Sequence, residues 1–243
     1  MLPIVFRDEH LVAIHKPAGL LVHRSRLDAH ERSFALQQLR QQLGRRVYPA
    51  HRLDKATSGV LLFGLTPEVG AALSALFARQ AVEKTYVAVV RGYPAEEGVV
   101  EHALSLTDAA DDATAVQAAV TRFRRLATIE LEVAVDRYPT SRYALVQLQP
   151  MSGRRHQLRR HMQHLSHPII GDTTHGKGNH NRLFRERFGS ERLLLACVEL
   201  RLLHPITGEA LTCTAPLAAD FAELIDCLGW TSKLPQRWLA RHS

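Results

Sequence analysis

Arg52 and Asp54 stand one residue apart in YPAHRLDKATSGVLLFGLT, residues 48–66, just ahead of an apolar run from Val60 to Leu65. A positioned carboxylate can act as general base or nucleophile, and a guanidinium beside it can meet an anion or a planar ring. Two further places set polar residues among apolar strands: Tyr86 within KTYVAVV, and SGRRHQLRRHMQHL from Ser152 to Leu165. In the third stretch a strand and a glycine turn lead into a helix start, which puts Arg154 and Arg155 near its positive end. Cations are unfavourable there unless an anion lies opposite. That anion could be a phosphate; alternatively Asp54 could accept a charge-assisted bond from an arginine of this segment, Arg159 first among them.

Each place also has a plainer reading. His51, Arg52, Asp54 and Ser58 could form a capped turn, because Asp, Thr and Ser satisfy backbone donors in turns. Tyr86 could be an ordinary strand aromatic. Leu158, Met162 and Leu165 repeat at i, i+4 and i+7, so the arginines between them could be the solvated face of a helix.

The elements that must hold these residues follow from periodicity and punctuation. Short strands are expected at 2–6 and 11–14, followed by a turn carrying Pro17 and Gly19. A helix is expected in SFALQQLRQQL, ended by Gly44, and a clearer one after Thr66, with Thr66 as N-cap, Pro67 at the first position and Val69, Leu73, Leu76 and Phe77 along one side. KTYVAVVRG returns to strand. Residues 107–119 lack large apolar side chains and predict a loop. TIELEVAV, RYALVQLQP and RLLLACVELRLLHP predict strands, and APLAADFAELIDCLG the last helix. The order lacks a regular βαβ beat, so the expected class is α+β: a mixed, largely antiparallel sheet core with flanking helices, as a single domain over 1–243.

Composition narrows the function. Three cysteines without CxxC spacing fit buried thiols of a reducing compartment. The opening apolar run meets charges too early for a signal peptide, and no later run reaches the ~18 residues of a membrane span, so a cytoplasmic chain without membrane attachment is expected. The net charge of +7 suggests a polyanionic partner. Its basic charge is local: residues 151–192 hold nine Lys or Arg against three acids, while 101–136 hold three Arg against seven acids. Arg182 and Arg185 in that basic segment are expected phosphate contacts. Only five of the 31 basic residues are lysines, and arginine forks suit phosphate contact and base stacking.

HRLDKATSGVLLFGLT, KTYVAVVRG, SGRRHQLRRHMQHLSHPIIGD and the opening DEHLVAIHKPAGLLVH together resemble the RluA-type family of RNA pseudouridine synthases, in family order over residues 8–172. LLLACVELRLLHPITGEALTCTAP is similar to the end of that catalytic domain. The resemblance implies isomerisation of a uridine in RNA to its C5-glycoside, with no metal and no cofactor. It implies that Asp54 is the essential aspartate, as nucleophile or as base. Tyr86 matches the tyrosine that packs against the target base. Arg159 matches the basic partner of the aspartate, a pairing that orients a carboxylate and favours its charged form. Arg52 matches the arginine that enters the stack when the uridine is flipped out. LLVHRSRLDAHERSFALQQLR, DRYPTSRYALVQLQPMSGRRHQLRRHMQHL and GDTTHGKGNHNRLFRERFG are similar to the branch acting on tRNA at uridine 65, with ribosomal RNA as the alternative substrate. No small basic RNA-binding domain is expected ahead of Ile4, and no obligate protein partner.

Three rivals are weaker. His156, His161, His164, His167, His175 and His180 crowd one segment, yet thiolates are absent nearby and Asp172 is the one close carboxylate, a poor metal set. His51 and Ser58 beside Asp54 suggest a hydrolase triad, but no G-x-S-x-G elbow occurs. A catalytically silent RNA-binding protein would have no need of Asp54.

Overall fold

The computed structural model describes residues 1–23, 33–105 and 116–239. Along the chain come β1 (Ile4–Arg7), β2 (Leu11–Lys16), α1 (Ala35–Leu43), β3 (Tyr48–Pro49), β4 (Ser58–Gly64), α2 (Pro67–Ala78), β5 (Glu83–Arg91) and β6 (Glu97–Glu101). Then follow β7 (Leu104–Ser105), β8 (Val116–Gln117), β9 (Val120–Leu131), β10 (Ser141–Pro150), α3 (Gln157–His164), α4 (Gly178–Phe188), β11 (Leu195–Leu203), β12 (Ala210–Thr214) and α5 (Ala219–Cys227). This is the expected α+β class with a largely antiparallel sheet, in which β4 and β11 pair in parallel. Two compact units share these elements, each assembled from separate stretches of chain.

The first unit holds residues 1–84, 196–219 and 236 onward. Its strands run β1-β2-β4-β11-β12, with β3 added to the end of β4. β1 and β2 form a hairpin whose turn is set by Asp8, the carboxylate accepting the N–H groups of His10 and Leu11 at 2.7 and 2.8 Å. Every residue of β4 is buried, which is why SGVLLFG reads as a continuous apolar run rather than an alternating one. Gly59 in β4 has φ +116, and a Cβ there would overlap the backbone of Cys197 on β11. Only glycine lets the parallel strands approach so closely. α2 begins as expected: Thr66 Oγ1 accepts the Val69 N–H at 3.3 Å and Pro67 takes the first position.

The second unit holds residues 85–195 and 220–235, with strands in the order β5-β10-β9-β6. The register sets Tyr86 opposite Leu148 and Leu148 opposite Phe123. Thr121, two residues before Phe123, shares that face, and its Oγ1 is met by Gln157 Nε2 at 3.0 Å and His161 Nδ1 at 2.9 Å from α3. α3 therefore lies over the Tyr86 face. Tyr143, opposite Arg91, points the other way, and its hydroxyl meets His180 Nδ1 at 2.8 Å while its ring packs on Phe184. α4 accordingly lies on the opposite face of this unit's sheet.

One strand differs from its sequence expectation. TIELEVAV predicts a strand at 128–135, whereas β9 starts at Val120 and ends at Leu131. β9 spans what pairs with β10, and a bulge between Leu145 and Val146 of the register interrupts the alternation on which the sequence reading depended. The expected loop at 107–119 lies for its larger part outside the described residues.

Candidate active site

Between β3 and β4 the chain leaves the sheet as a short loop carrying Arg52 and Asp54. Leu53 is 5% exposed, Thr57 2% and Ser58 fully buried, so the loop is fastened at its middle and at its end. Arg52 is exposed and Asp54 half-buried. The turn is closed by the backbone, with the Thr57 N–H donating to the Asp54 carbonyl at 3.1 Å.

The fastening comes from a residue to which the sequence reading assigns no role. Lys16, at the end of β2, is fully buried. Its Nζ donates to the carbonyls of Leu20 at 2.7 Å, Pro17 at 2.9 Å and Lys55 at 3.1 Å. The Lys55 carbonyl also accepts the Gly19 N–H at 2.8 Å. A buried ammonium is tolerated only when its donors are satisfied, and here that satisfaction fixes the backbone one residue beyond Asp54. Its local pattern, a lysine between an apolar strand and Pro17, is that of an ordinary turn lysine.

In the second unit Tyr86 is 9% exposed on β5. α3 enters with His156 as N-cap at φ 51, a left-handed conformation, and no side-chain cap. Gln157 fastens the turn ahead of the helix instead. Its Oε1 accepts from Ser152 Oγ at 2.8 Å and the Arg154 N–H at 3.0 Å, while its Nε2 donates to the Val120 carbonyl and to Thr121. All this amide's polar capacity joins the helix entry to β9.

Two residues on, Arg159 is 6% exposed and makes a two-pronged pair with Asp172: Nε to Oδ2 and Nη2 to Oδ1, both 2.7 Å. Asp172 Oδ1 also accepts the N–H groups of Thr174 and His175 at 2.9 Å each. Burial pushes the Asp172 carboxyl up, but the Arg159 bond, the backbone donors and the Arg159 charge together hold it below its usual range. The sequence expectation pairs Arg159 with Asp54; the carboxylate on these two nitrogens is Asp172. Asp54 belongs to the other unit. Asp172 itself was noticed only as a poor metal ligand.

The remaining basic residues are spread out. Arg154 is half-buried with Nε on the Ala118 carbonyl at 3.1 Å, so a carbonyl dipole meets it. Arg155 is exposed. Arg182 and Arg185 are exposed on α4, whose inward side is anchored by Phe184 and His180. α3 and α4 lie on opposite faces, so the basic segment 151–192 forms two surfaces rather than one. Asn181 links α4 to the turn before the pair, accepting the Gly171 N–H at 2.8 Å and donating to the Asp172 carbonyl at 2.9 Å.

The crowded histidines go separate ways. His161 Nε2 meets the His102 carbonyl at 3.0 Å, His164 stacks on His102, His167 Nδ1 meets the Arg91 carbonyl at 2.8 Å, and His156 meets His175 at 3.1 Å. Among the described residues no group of three or more His, Cys, Asp or Glu could hold a metal ion. No described helix is long and apolar enough to cross a membrane.

The family model for RNA pseudouridylate synthase matches residues 10–164. The chain is 49% identical over 240 residues to the tRNA pseudouridine synthase C of Vibrio cholerae serotype O1, covering 96% of this chain and 98% of that one. To the tRNA pseudouridine synthase C of Yersinia pestis it is 48% identical over 241 residues, covering 97% and 94%. The solved human RNA pseudouridylate synthase domain containing 4 superposes with a TM-score of 0.72 at 27% identity over 93% of each chain. Human RNA pseudouridylate synthase domain containing 1 shares the fold, with a TM-score of 0.69 at 23% identity over 94% and 95%.

Proposed function

The chain belongs to the RNA pseudouridylate synthase family, and on that premise we propose that the uridine it isomerises lies in tRNA and is uridine 65. One observation carries the tRNA reading: identity to a tRNA pseudouridine synthase C holds at 49% over 240 residues, well past residue 164 where the family match ends. The similarity to enzymes named for tRNA therefore extends over the C-terminal third, where α4 lies.

The reaction breaks the N1–C1′ bond, turns the base and joins C5 to C1′; C5 loses a proton and N1 gains one. Reactant and product are isomers. The chemistry thus asks for a carboxylate to act on sugar or base, a group that moves a proton, and a surface that holds the extruded nucleotide. We assign the first role to Asp54. Tyr86 is the aromatic surface and hydroxyl for the base, and Arg159 the cation that orients the aspartate. Arg52, exposed beside Asp54, takes the place of the flipped base, offsetting an unstacking cost of a few kcal/mol. Arg154, Arg155, Arg182 and Arg185 serve the phosphate backbone.

Unmodified tRNA and ribosomal RNA transcripts, incubated with the pure protein and mapped chemically for pseudouridine, test this reading. Product at tRNA position 65 is expected. Product at another tRNA position rejects the site, and product confined to ribosomal RNA rejects the tRNA substrate.

A further inference from the structure

Where β3 parts from β4, one ladder bond is made by a side chain. Tyr48 pairs with Gly64 and Pro49 with Phe63, which brings Ala50 opposite Leu62. The Ala50 N–H duly donates to the Leu62 carbonyl at 2.9 Å. In a regular antiparallel pair the Leu62 N–H would return to the Ala50 carbonyl. Instead it donates to Nε2 of His51 at 3.2 Å.

The imidazole is fixed on its other sides too. It stacks on Phe77 of α2 with centroids 4.3 Å apart and an interplanar angle of 18°. It also bonds to the backbone of Arg52. With Nε2 accepting, the ring proton sits on Nδ1, so the imidazole bridges the Leu62 N–H of a buried strand and the first residue of the loop.

We propose that His51 is a positioning residue for Asp54: its neutral imidazole replaces a strand carbonyl, letting the chain turn out of the sheet after two paired residues while fixing the loop where it starts. The proposal rests on the reading of Asp54 as the catalytic carboxylate. Asp54 then sits between two fixed points, His51 at the start and the Lys55 carbonyl held by Lys16 and Gly19. A free loop of this length would let the carboxylate wander, and misplacement by about 1 Å costs on the order of a hundredfold in rate. The same geometry removes His51 from proton transfer, because its one lone pair is committed to Leu62. Burial, the largest influence, and the Lys84 charge hold its pKa to about 3 despite the Arg52 contact.

The test compares His51→Leu, His51→Gln and Asp54→Asn for kcat, KM, RNA affinity, melting temperature and pH–rate profile. His51→Leu removes the acceptor and should lower kcat about ten- to hundredfold, with RNA affinity nearly unchanged. His51→Gln keeps an acceptor for Leu62 and a donor for Arg52, and should recover kcat to within about threefold of wild type with an unaltered pH profile. Wild-type kcat in His51→Leu overturns the proposal. So does a folded His51→Gln as slow as His51→Leu, with an altered pH profile, which would mean proton transfer. Should His51→Leu not fold, His51→Asn takes its place: its amide is too short to span both partners, the same loss is expected, and full activity overturns the proposal. Turnover in Asp54→Asn would sink the underlying reading instead, whatever the His51 variants do.

Discussion

Arg159 and Asp172 meet fork to fork, Nε and Nη2 each 2.7 Å from a carboxylate oxygen, with side chains 7% and 0% exposed. Removing either partner strips a buried charge of a two-pronged bond. Asp172→Ala should therefore destabilise the fold by about 3–5 kcal/mol, measured by urea denaturation. Arg159→Lys should recover little of the pair, because an ammonium cannot make the two parallel bonds.

The same pair gives a pH dependence of definite sign. The Asp172 carboxyl in the folded protein lies below its ordinary value of 3.8. A depressed carboxylate contributes stability that is fully present above the unfolded value and is lost as pH falls through the folded one. The wild-type chain should lose stability on acidification below about pH 4, and Asp172→Asn should start lower and lose less over that range. Parallel acid limbs for the two proteins would contradict this.

Arg52 and Tyr86 differ in burial, and their variants should separate accordingly. Arg52 is exposed on the loop, while Tyr86 is 9% exposed on a strand. Arg52→Ala should be slow on a structured stem and should improve on a short single-stranded substrate, where little stacking is broken. Tyr86→Phe should be equally slow on both. An equal defect of Arg52→Ala on the two substrates would remove its role in base extrusion.

α4 presents Arg182 and Arg185 on the face of its sheet opposite to α3. The phosphate contacts proposed for them would be independent of those proposed for Arg154 and Arg155. Neutralising Arg182 and Arg185 together should flatten the slope of log affinity against log salt by roughly one unit or more. An unchanged slope would mean that these two meet solvent and not RNA.

Much of the site was legible because its residues are locally encoded. Arg52 and Asp54 sit in a turn bounded by a buried run, and Thr66 and Pro67 announce α2 by capping rules that need no tertiary information. Lys16, His51, Gln157 and Asp172 were not legible in the same way. Each acts by reaching a backbone group or charge distant in sequence: Lys16 at Lys55, His51 at Leu62, Gln157 at Val120, Asp172 at Arg159. Nothing in the local pattern distinguishes such a residue from a turn lysine or a helix glutamine. The extent of β9 was hidden for a related reason, since a bulge shifts side chains between faces and defeats a period-two reading.

Lys16 joins two segments that are 39 residues apart, the end of β2 and the loop after Asp54. Neither can open without stripping a buried ammonium of its acceptors, so the two should breathe as one. The amide of Gly19 donates to the Lys55 carbonyl that Lys16 also meets, and the amide of Thr57 to the carbonyl of Asp54 beside it. They should exchange with deuterium through a common opening event whose free energy exceeds that of neighbouring surface turns. The loop that carries Arg52 and Asp54 would then be slow to deform on its own, and, if Asp54 is the catalytic carboxylate as proposed, the motion needed to admit a nucleotide would fall to the RNA.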